Sequence, residues 1–157
     1  MPFQVAVCGP AECTDAERAA AHRVGRLLAE RGVVVVCGGG AGVMAAVAAC
    51  ARSRGGVVVG ILPGDDREGA SPDLSATVVT NMGQARNAAV VWSADAVIVV
   101  GGSWGTLSEL ALARRRGGVR VVSLGGWRVV DARGVEIPGV EHVATPEEAV
   151  QLACPSA

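Results

Sequence analysis

The residues best suited to chemistry lie together at 101–109, where Gly-Gly-Ser-Trp-Gly-Thr-Leu-Ser-Glu follows an apolar run at 96–100. Glycines let a ligand approach the backbone closely. The first amides of a helix have no partners within the helix, and the helix dipole favours an anion beside them. The segment therefore predicts a phosphate site at the start of a helix. Its predicted ligand-binding residues are Gly101, Gly102, Ser103, Gly105 and Thr106.

The pattern leaves two roles open for Glu109. Thr106 and Glu109 have the spacing of a capping box, in which a hydroxyl and a carboxyl bond reciprocally to the backbone at a helix start. Such a cap is worth about 1 kcal/mol, and it predicts a helix that begins near Thr106. Glu109 is also placed to reach a bond in whatever group the phosphate carries, so it is a candidate catalytic acid or base.

Arg86 is the second candidate catalytic residue. It lies in the segment 81–87, in a helix that Asn81 is predicted to cap and that runs through 93. A single arginine is most often a solvated surface residue, but a cation in a first turn is unfavourable against the helix dipole. A bidentate contact with an anion would explain its presence there. Met82, in the same segment, is included among the predicted ligand-binding residues.

A second glycine loop, at 38–42, follows another apolar run. Its candidate phosphate or ribose contacts are Gly38, Gly39, Gly40 and Gly42. The alternative is a tight turn that packs a helix closely against a strand. The next strand ends Ile61-Leu62-Pro63, without the acidic residue that would hold a ribose, so NAD binding is disfavoured.

Composition excludes several classes of protein. The 157 residues predict one domain covering 1–157. All 14 basic residues are arginines, which excludes Schiff-base and pyridoxal-phosphate enzymes and Walker A loops. The net charge of −1 implies no nucleic-acid partner. The five cysteines have neither zinc nor CxxC spacing, so we expect reduced thiols and neither a metal nor a cofactor. No apolar run is long enough to cross a membrane, and we expect a cytoplasmic protein.

The elements that must position these residues alternate between strands and helices. Strands are predicted at 3–8, 33–37, 57–62, 76–80, 96–100 and 119–124, with a hairpin at 127–137 and an edge strand at 140–144. Helices are predicted at 14–31, 43–54, 81–93 and 106–116, and from 145 onward. This order predicts an α/β fold, a single Rossmann-like doubly wound domain with a mainly parallel sheet. Such sheets bind ligands at the carboxyl ends of their strands.

These motifs resemble the LOG (Lonely Guy) family and its molybdenum cofactor carrier-like relatives, often mislabelled lysine decarboxylases. The family hallmark is Pro-Gly-Gly-x-Gly-Thr-x-x-Glu. This chain keeps the Gly-Thr-x-x-Glu half, with Gly101 in place of the proline and Ser103 in place of the second glycine. Arg86 matches the arginine of the family's upstream Arg-Lys pair, whose lysine is replaced by Asn87. The resemblance extends over about 5–124.

The resemblance implies two functions. LOG enzymes hydrolyse the N-glycosidic bond of N6-substituted adenosine monophosphates, giving a free base and ribose 5-phosphate, and they are dimers or larger. On that basis Arg86 and Glu109 are catalytic, the ligand is a nucleoside monophosphate, and the chain forms a homo-oligomer. The segments 81–87 and 60–63 also match a bacterial branch similar to the algal molybdenum cofactor carrier protein, which binds a phosphorylated pterin without turnover. Non-catalytic binding of a nucleotide or of the molybdenum cofactor is therefore the alternative.

Overall fold

Valine-rich runs form the central strands, because strands covered on both faces need apolar side chains on both sides. In the computed structural model, which describes residues 1–154, these runs make one seven-stranded sheet of order β4-β3-β2-β1-β5-β6-β7. The strands are β1 (Gln4–Cys8), β2 (Val34–Cys37), β3 (Val58–Leu62), β4 (Ala76–Val79), β5 (Ala96–Val100), β6 (Arg120–Leu124) and β7 (Glu141–Val143). Every neighbouring pair is parallel.

Five helices cover the two faces of the sheet. They are α1 (Asp15–Glu30), α2 (Val43–Ser53), α3 (Arg86–Trp92), α4 (Trp104–Arg116) and α5 (Pro146–Ala153). One apolar layer packs under α1, α2 and α5, and includes Leu28, Val47 and Ile98. The other packs under α3 and α4, and includes Val90 and Val97. The predicted doubly wound α/β fold is confirmed.

The strand order fixes where a ligand can enter. The chain starts in the centre at β1, builds outward through β2, β3 and β4, and then crosses back to place β5 on the other side of β1. The carboxyl ends of β1 and β5 are therefore the switch point, where the connections leave in opposite directions and open a crevice. Both α4 and the loop before it start at this crevice.

Helix starts are where sequence and structure agree or differ most clearly. The capping boxes predicted at α1 and α5 are present, with Thr14 paired to Glu17 and Thr145 paired to Glu148. The helix predicted from Asn81 is wrong in its first half. Asn81 has a left-handed φ of 50°, a short 3-10 turn follows at Gly83–Ala85, and α3 starts only at Arg86. A left-handed residue cannot occupy the extended conformation of an N-cap.

The chain after β6 forms the predicted small hairpin, marked by an antiparallel bridge between Val130 and Glu136, and then the edge strand β7.

All five cysteines are free thiols, and Cys8, Cys37 and Cys154 are buried. Within residues 1–154, the helices all lack the length and apolar character that crossing a bilayer requires.

Candidate functional site

A cleft of about 190 Å³ opens at the carboxyl ends of β1 and β5. Four segments meet there: the loop after β1, the start of α2, the start of α3 and the start of α4. The residues that line it are Gly9, Pro10, Ala11, Met44, Gln84, Arg86, Asn87, Ser103, Gly105, Thr106 and Glu109. Both candidate catalytic residues are therefore brought to one cleft, together with three of the predicted phosphate-binding residues.

Glu109 does not cap α4. The helix begins at Trp104, two residues earlier than predicted, and Ser103 is its N-cap, with its hydroxyl accepting a hydrogen bond from the Thr106 amide. The Thr106 and Ser103 hydroxyls are 2.9 Å apart. The capping-box interpretation of Thr106 and Glu109 is therefore wrong, because Glu109 lies in the second turn, too far along to reach the N-cap amide. It is instead buried, with 7% of its surface exposed.

The surroundings of Glu109 favour its protonated form. Burial raises the pKa of this carboxyl to about 7, and the nearby Arg86 charge and a hydrogen bond from the Cys8 thiol only partly oppose the rise. Burial also raises the pKa of Cys8 well above its usual value, and the neighbouring Glu109 charge adds to the effect. The thiol is thus a neutral donor at neutral pH, while Glu109 is close to its titration midpoint.

Arg86 is held rigidly by the backbone. One terminal nitrogen, Nη1, donates to the carbonyl oxygens of Gly38 and Ile61, the latter at 2.6 Å. The guanidinium therefore links the loop after β2 to the end of β3, and the interpretation of Arg86 as a solvated surface residue is wrong. Its Nε is buried and has no hydrogen-bond partner in the part of the chain that the structure describes. Arg86 still lines the cleft, where its charge can pair with an anion.

The start of α4 carries backbone amides that have no hydrogen-bond partner in the described part of the chain. Among residues 1–154, the amides of Trp104 and Gly105 have no hydrogen-bond partner, as the first amides of a helix do unless something caps them. A side chain on Gly105 would meet only the Ser103 hydroxyl, at 3.9 Å, so this glycine faces open space in the cleft. The geometry suits an anion beside Gly105.

The first two glycines of the same loop pack against neighbouring side chains, and their predicted ligand contacts stay predictions. Gly101 has a positive φ, and the Glu17 carboxyl lies where its side chain would be; at Gly102 the Trp127 indole takes that place. The space beside each is filled by a neighbouring side chain, and neither residue lines the cleft.

The loop at 38–42 also packs against protein, which favours the tight-turn alternative. Side chains added there would meet Arg86 at Gly38, Leu62 at Gly39, Met44 at Gly40 and the Pro10 and Ala11 carbonyls at Gly42. None of the four lines the cleft, and Met82 lies outside it as well, half exposed. Ligand contacts by these residues stay predictions.

Several cleft residues were not predicted. Gly9, Pro10 and Ala11 follow β1, and the strand order expected for a doubly wound sheet would have pointed to them, because β1 borders the switch point. Met44 and Gln84 carry no such signal. Asn87 is 4% exposed and donates to the Ser108 hydroxyl at 3.0 Å. Within residues 1–154, no group of three His, Cys, Asp or Glu side chains is arranged to hold a metal ion.

The sequence matches the model of the SLOG cluster4 family over residues 2–150. An uncharacterized protein of Archaeoglobus fulgidus is 43% identical over 148 residues, which is 94% of this chain and 92% of that protein. A cytokinin riboside 5′-monophosphate phosphoribohydrolase of Mycobacterium tuberculosis is 41% identical over 112 residues, covering 69% of this chain and 60% of the enzyme.

Solved structures extend these similarities. The molybdenum cofactor binding protein of Rippkaea orientalis superimposes with a TM-score of 0.84 at 30% identity, covering 97% of this chain and 95% of that one. The molybdenum cofactor carrier protein of Chlamydomonas reinhardtii gives 0.81 at 28% identity, with 94% of each chain covered. DNA processing protein A of Helicobacter pylori shares the fold, with a TM-score of 0.67 at 18% identity. The resemblance drawn from the motifs is confirmed.

Proposed function

Because the chain belongs to the SLOG cluster4 family, which is LOG-like and molybdenum cofactor carrier-like, we propose that it hydrolyses the N-glycosidic bond of a nucleoside 5′-monophosphate. One observation carries the proposal. Glu109 is a buried carboxyl in the cleft with a pKa of about 7, so it exchanges a proton near neutral pH. Burying a carboxyl without a salt bridge lowers stability, and strongly shifted groups in clefts are concentrated at functional sites.

The start of α4 supplies the phosphate site in this proposal. The amides of Trp104 and Gly105 donate to the 5′-phosphate, and the helix dipole favours its charge. Glu109 is four residues beyond Gly105, about 6 Å along the helix axis. That separation is on the scale of a ribose with its 5′ carbon. A phosphate anchored at Gly105 would therefore bring the sugar to the Glu109 carboxyl.

The reaction then needs two proton transfers and one displacement. The Glu109 carboxylate takes a proton from a water molecule as the water oxygen bonds to C1′ of the ribose. The C1′–N bond breaks, its electrons leave with the base, and the proton held by Glu109 passes to the base nitrogen, giving free base and ribose 5-phosphate. The carboxylate also opposes the positive charge that develops on the sugar. Arg86 orients or neutralises the substrate, and its bonds to Gly38 and Ile61 keep the guanidinium in place.

Binding without turnover is the second candidate, and a different observation favours it. Asn87 occupies the position of the family's lysine and is bound to Ser108. Among the residues that line the cleft, Arg86 is thus the one cation, and its Nη1 is already used by two backbone carbonyls. The lining of the cleft therefore lacks the second cation of the family's Arg-Lys pair, which favours retention of a nucleotide or of the molybdenum cofactor without turnover.

Two measurements separate the candidates. The purified protein is incubated with AMP and with an N6-substituted AMP, and free base and ribose 5-phosphate are quantified against a control without protein. The matching nucleosides should react far more slowly, because the phosphate supplies the binding energy that positions the sugar. Mass spectrometry of small molecules released from freshly purified protein provides the second measurement. Tight nucleotide binding without product, or a co-purified pterin, would contradict hydrolysis and support the carrier.

A further inference from the structure

A second concave surface lies beside α4, on the strip of the helix next to the one that faces the cleft. We name it the outer groove: it has a volume of about 390 Å³ and runs between α4 and the segment 127–142. On α4, Thr106 and Glu109 face the cleft, whereas the groove is lined by side chains from the next strip of the helix. Those side chains are Leu107, Leu110, Ala111 and Arg114. The opposite wall is apolar and includes Trp127, Val129 and Ile137.

Arg114 is the cation of the outer groove. In the described part of the chain it makes no ion pair and donates no side-chain hydrogen bond. Its guanidinium rests against Gly139, a glycine with a φ of 95°, where any side chain would overlap it. The carboxyl nearest the groove-lining His142 is Glu136, which is 2.7 Å from His142 and 2.7 Å from Arg128. The groove therefore holds one positive charge that no described carboxylate balances.

We propose that the outer groove binds a small amphipathic anion, with an aromatic or alkyl body and a carboxylate or sulfonate head. The volume lies within the range of small-molecule sites, which are mostly apolar with a few polar groups that orient the ligand. The apolar body packs between Leu110 and Val129, and the anionic head pairs with Arg114. This site does not depend on the function proposed for the cleft. The two sites use neighbouring strips of α4, and Trp127 of the groove packs against Gly102 of the loop that leads into this helix.

The test uses anilinonaphthalene sulfonate, whose fluorescence rises in apolar sites, and its uncharged parent phenylnaphthylamine. Both should bind the folded wild-type chain. Arg114→Met should weaken binding of the sulfonate about tenfold or more, as expected for loss of a charge-assisted contact, and leave binding of the uncharged probe unchanged. Ala111→Trp, which fills the groove from an exposed helix position, should abolish binding of both.

Matched controls keep the outcome specific. Arg115→Met removes the neighbouring exposed arginine, which does not line the groove, and should have no effect on either probe. Gln84→Trp fills the mouth of the cleft and should also have no effect. Circular dichroism melting curves establish that each variant is folded. Equal losses in Arg114→Met and Arg115→Met, or retained binding in Ala111→Trp, would overturn the proposal. So would sedimentation data in which the wild type is a dimer that binds neither probe and Ala111→Trp is a monomer, because a second copy would then cover the groove.

Discussion

Replacing Glu109 by glutamine should stabilise the protein at alkaline pH, although it removes a candidate catalytic group. The folded protein holds this carboxyl at a pKa of about 7, whereas its ordinary value is 4.5. Between those values the folded state binds more protons than the unfolded state, so the free energy of unfolding falls as the pH rises. Each pKa unit corresponds to about 1.36 kcal/mol, which gives a penalty of about 3 kcal/mol once the pH is well above 7.

The assay is urea unfolding of the wild type and of Glu109→Gln, without added ligand, at about pH 5 and about pH 8.5. Glutamine is nearly isosteric and uncharged, so the variant should gain up to about 3 kcal/mol over the wild type at the higher pH and little at the lower. Glu68→Gln, on an exposed loop, is the control and should behave like the wild type at both values.

The sign of the effect makes this experiment decisive. A helix-capping carboxyl would produce the opposite result, a loss of a few tenths to about 1 kcal/mol on substitution. A variant that is equally or less stable than the wild type at about pH 8.5, or a difference that does not change with pH, would refute the argument that burial dominates the energetics of Glu109.

Three further predictions follow from the loops and the surface. Millimolar phosphate should raise the melting temperature of the wild type. Gly105→Pro removes a free amide in a turn that tolerates proline, so it should abolish this stabilisation by phosphate. Gly105→Ala keeps the amide and should keep the stabilisation. Gly42→Ala should lower the free energy of unfolding by more than about 2 kcal/mol, because its side chain would overlap the carbonyls of Pro10 and Ala11. Gly32→Ala, with a similar φ of 66° but open space, should lower it by only about 1 kcal/mol in the same denaturation assay. Light scattering should give at least twice the chain mass of 15.7 kDa; a monomer at micromolar concentration would contradict the predicted homo-oligomer.

Periodicity was enough to predict the sheet, because each central strand is a continuous apolar run and each helix between strands has an apolar face. The runs at 33–37 and 96–100 became β2 and β5 with differences of no more than one residue. Capping signals located the starts of α1 and α5, because the two residues of each capping box lie only three positions apart in the chain. Local interactions of this kind are fully contained in the sequence.

The environment of each site residue could not be predicted from the sequence. Ser103 and Thr106 both precede a plausible first turn, and only the three-dimensional path of the loop decides that Ser103 caps the helix. That shift of the cap by three residues changes Glu109 from a surface cap to a buried acid. Arg86 gave no sequence signal for its bonds to Gly38 and Ile61, which are 48 and 25 residues away. The capping-box prediction was therefore wrong for a reason that no local pattern contains.

The packing of the two glycine loops has a consequence for how this lineage can change. Most of the glycines accommodate neighbouring parts of the protein, so purifying selection for folding would preserve them even in a descendant that had lost its ligand. A glycine-rich motif is then a record of shared ancestry more than a mark of present activity. Gly105 and Glu109 are different, because one leaves open space and the other carries an energetic penalty that the fold itself does not require. Random drift would be expected to erase those two first once the cleft no longer served a ligand.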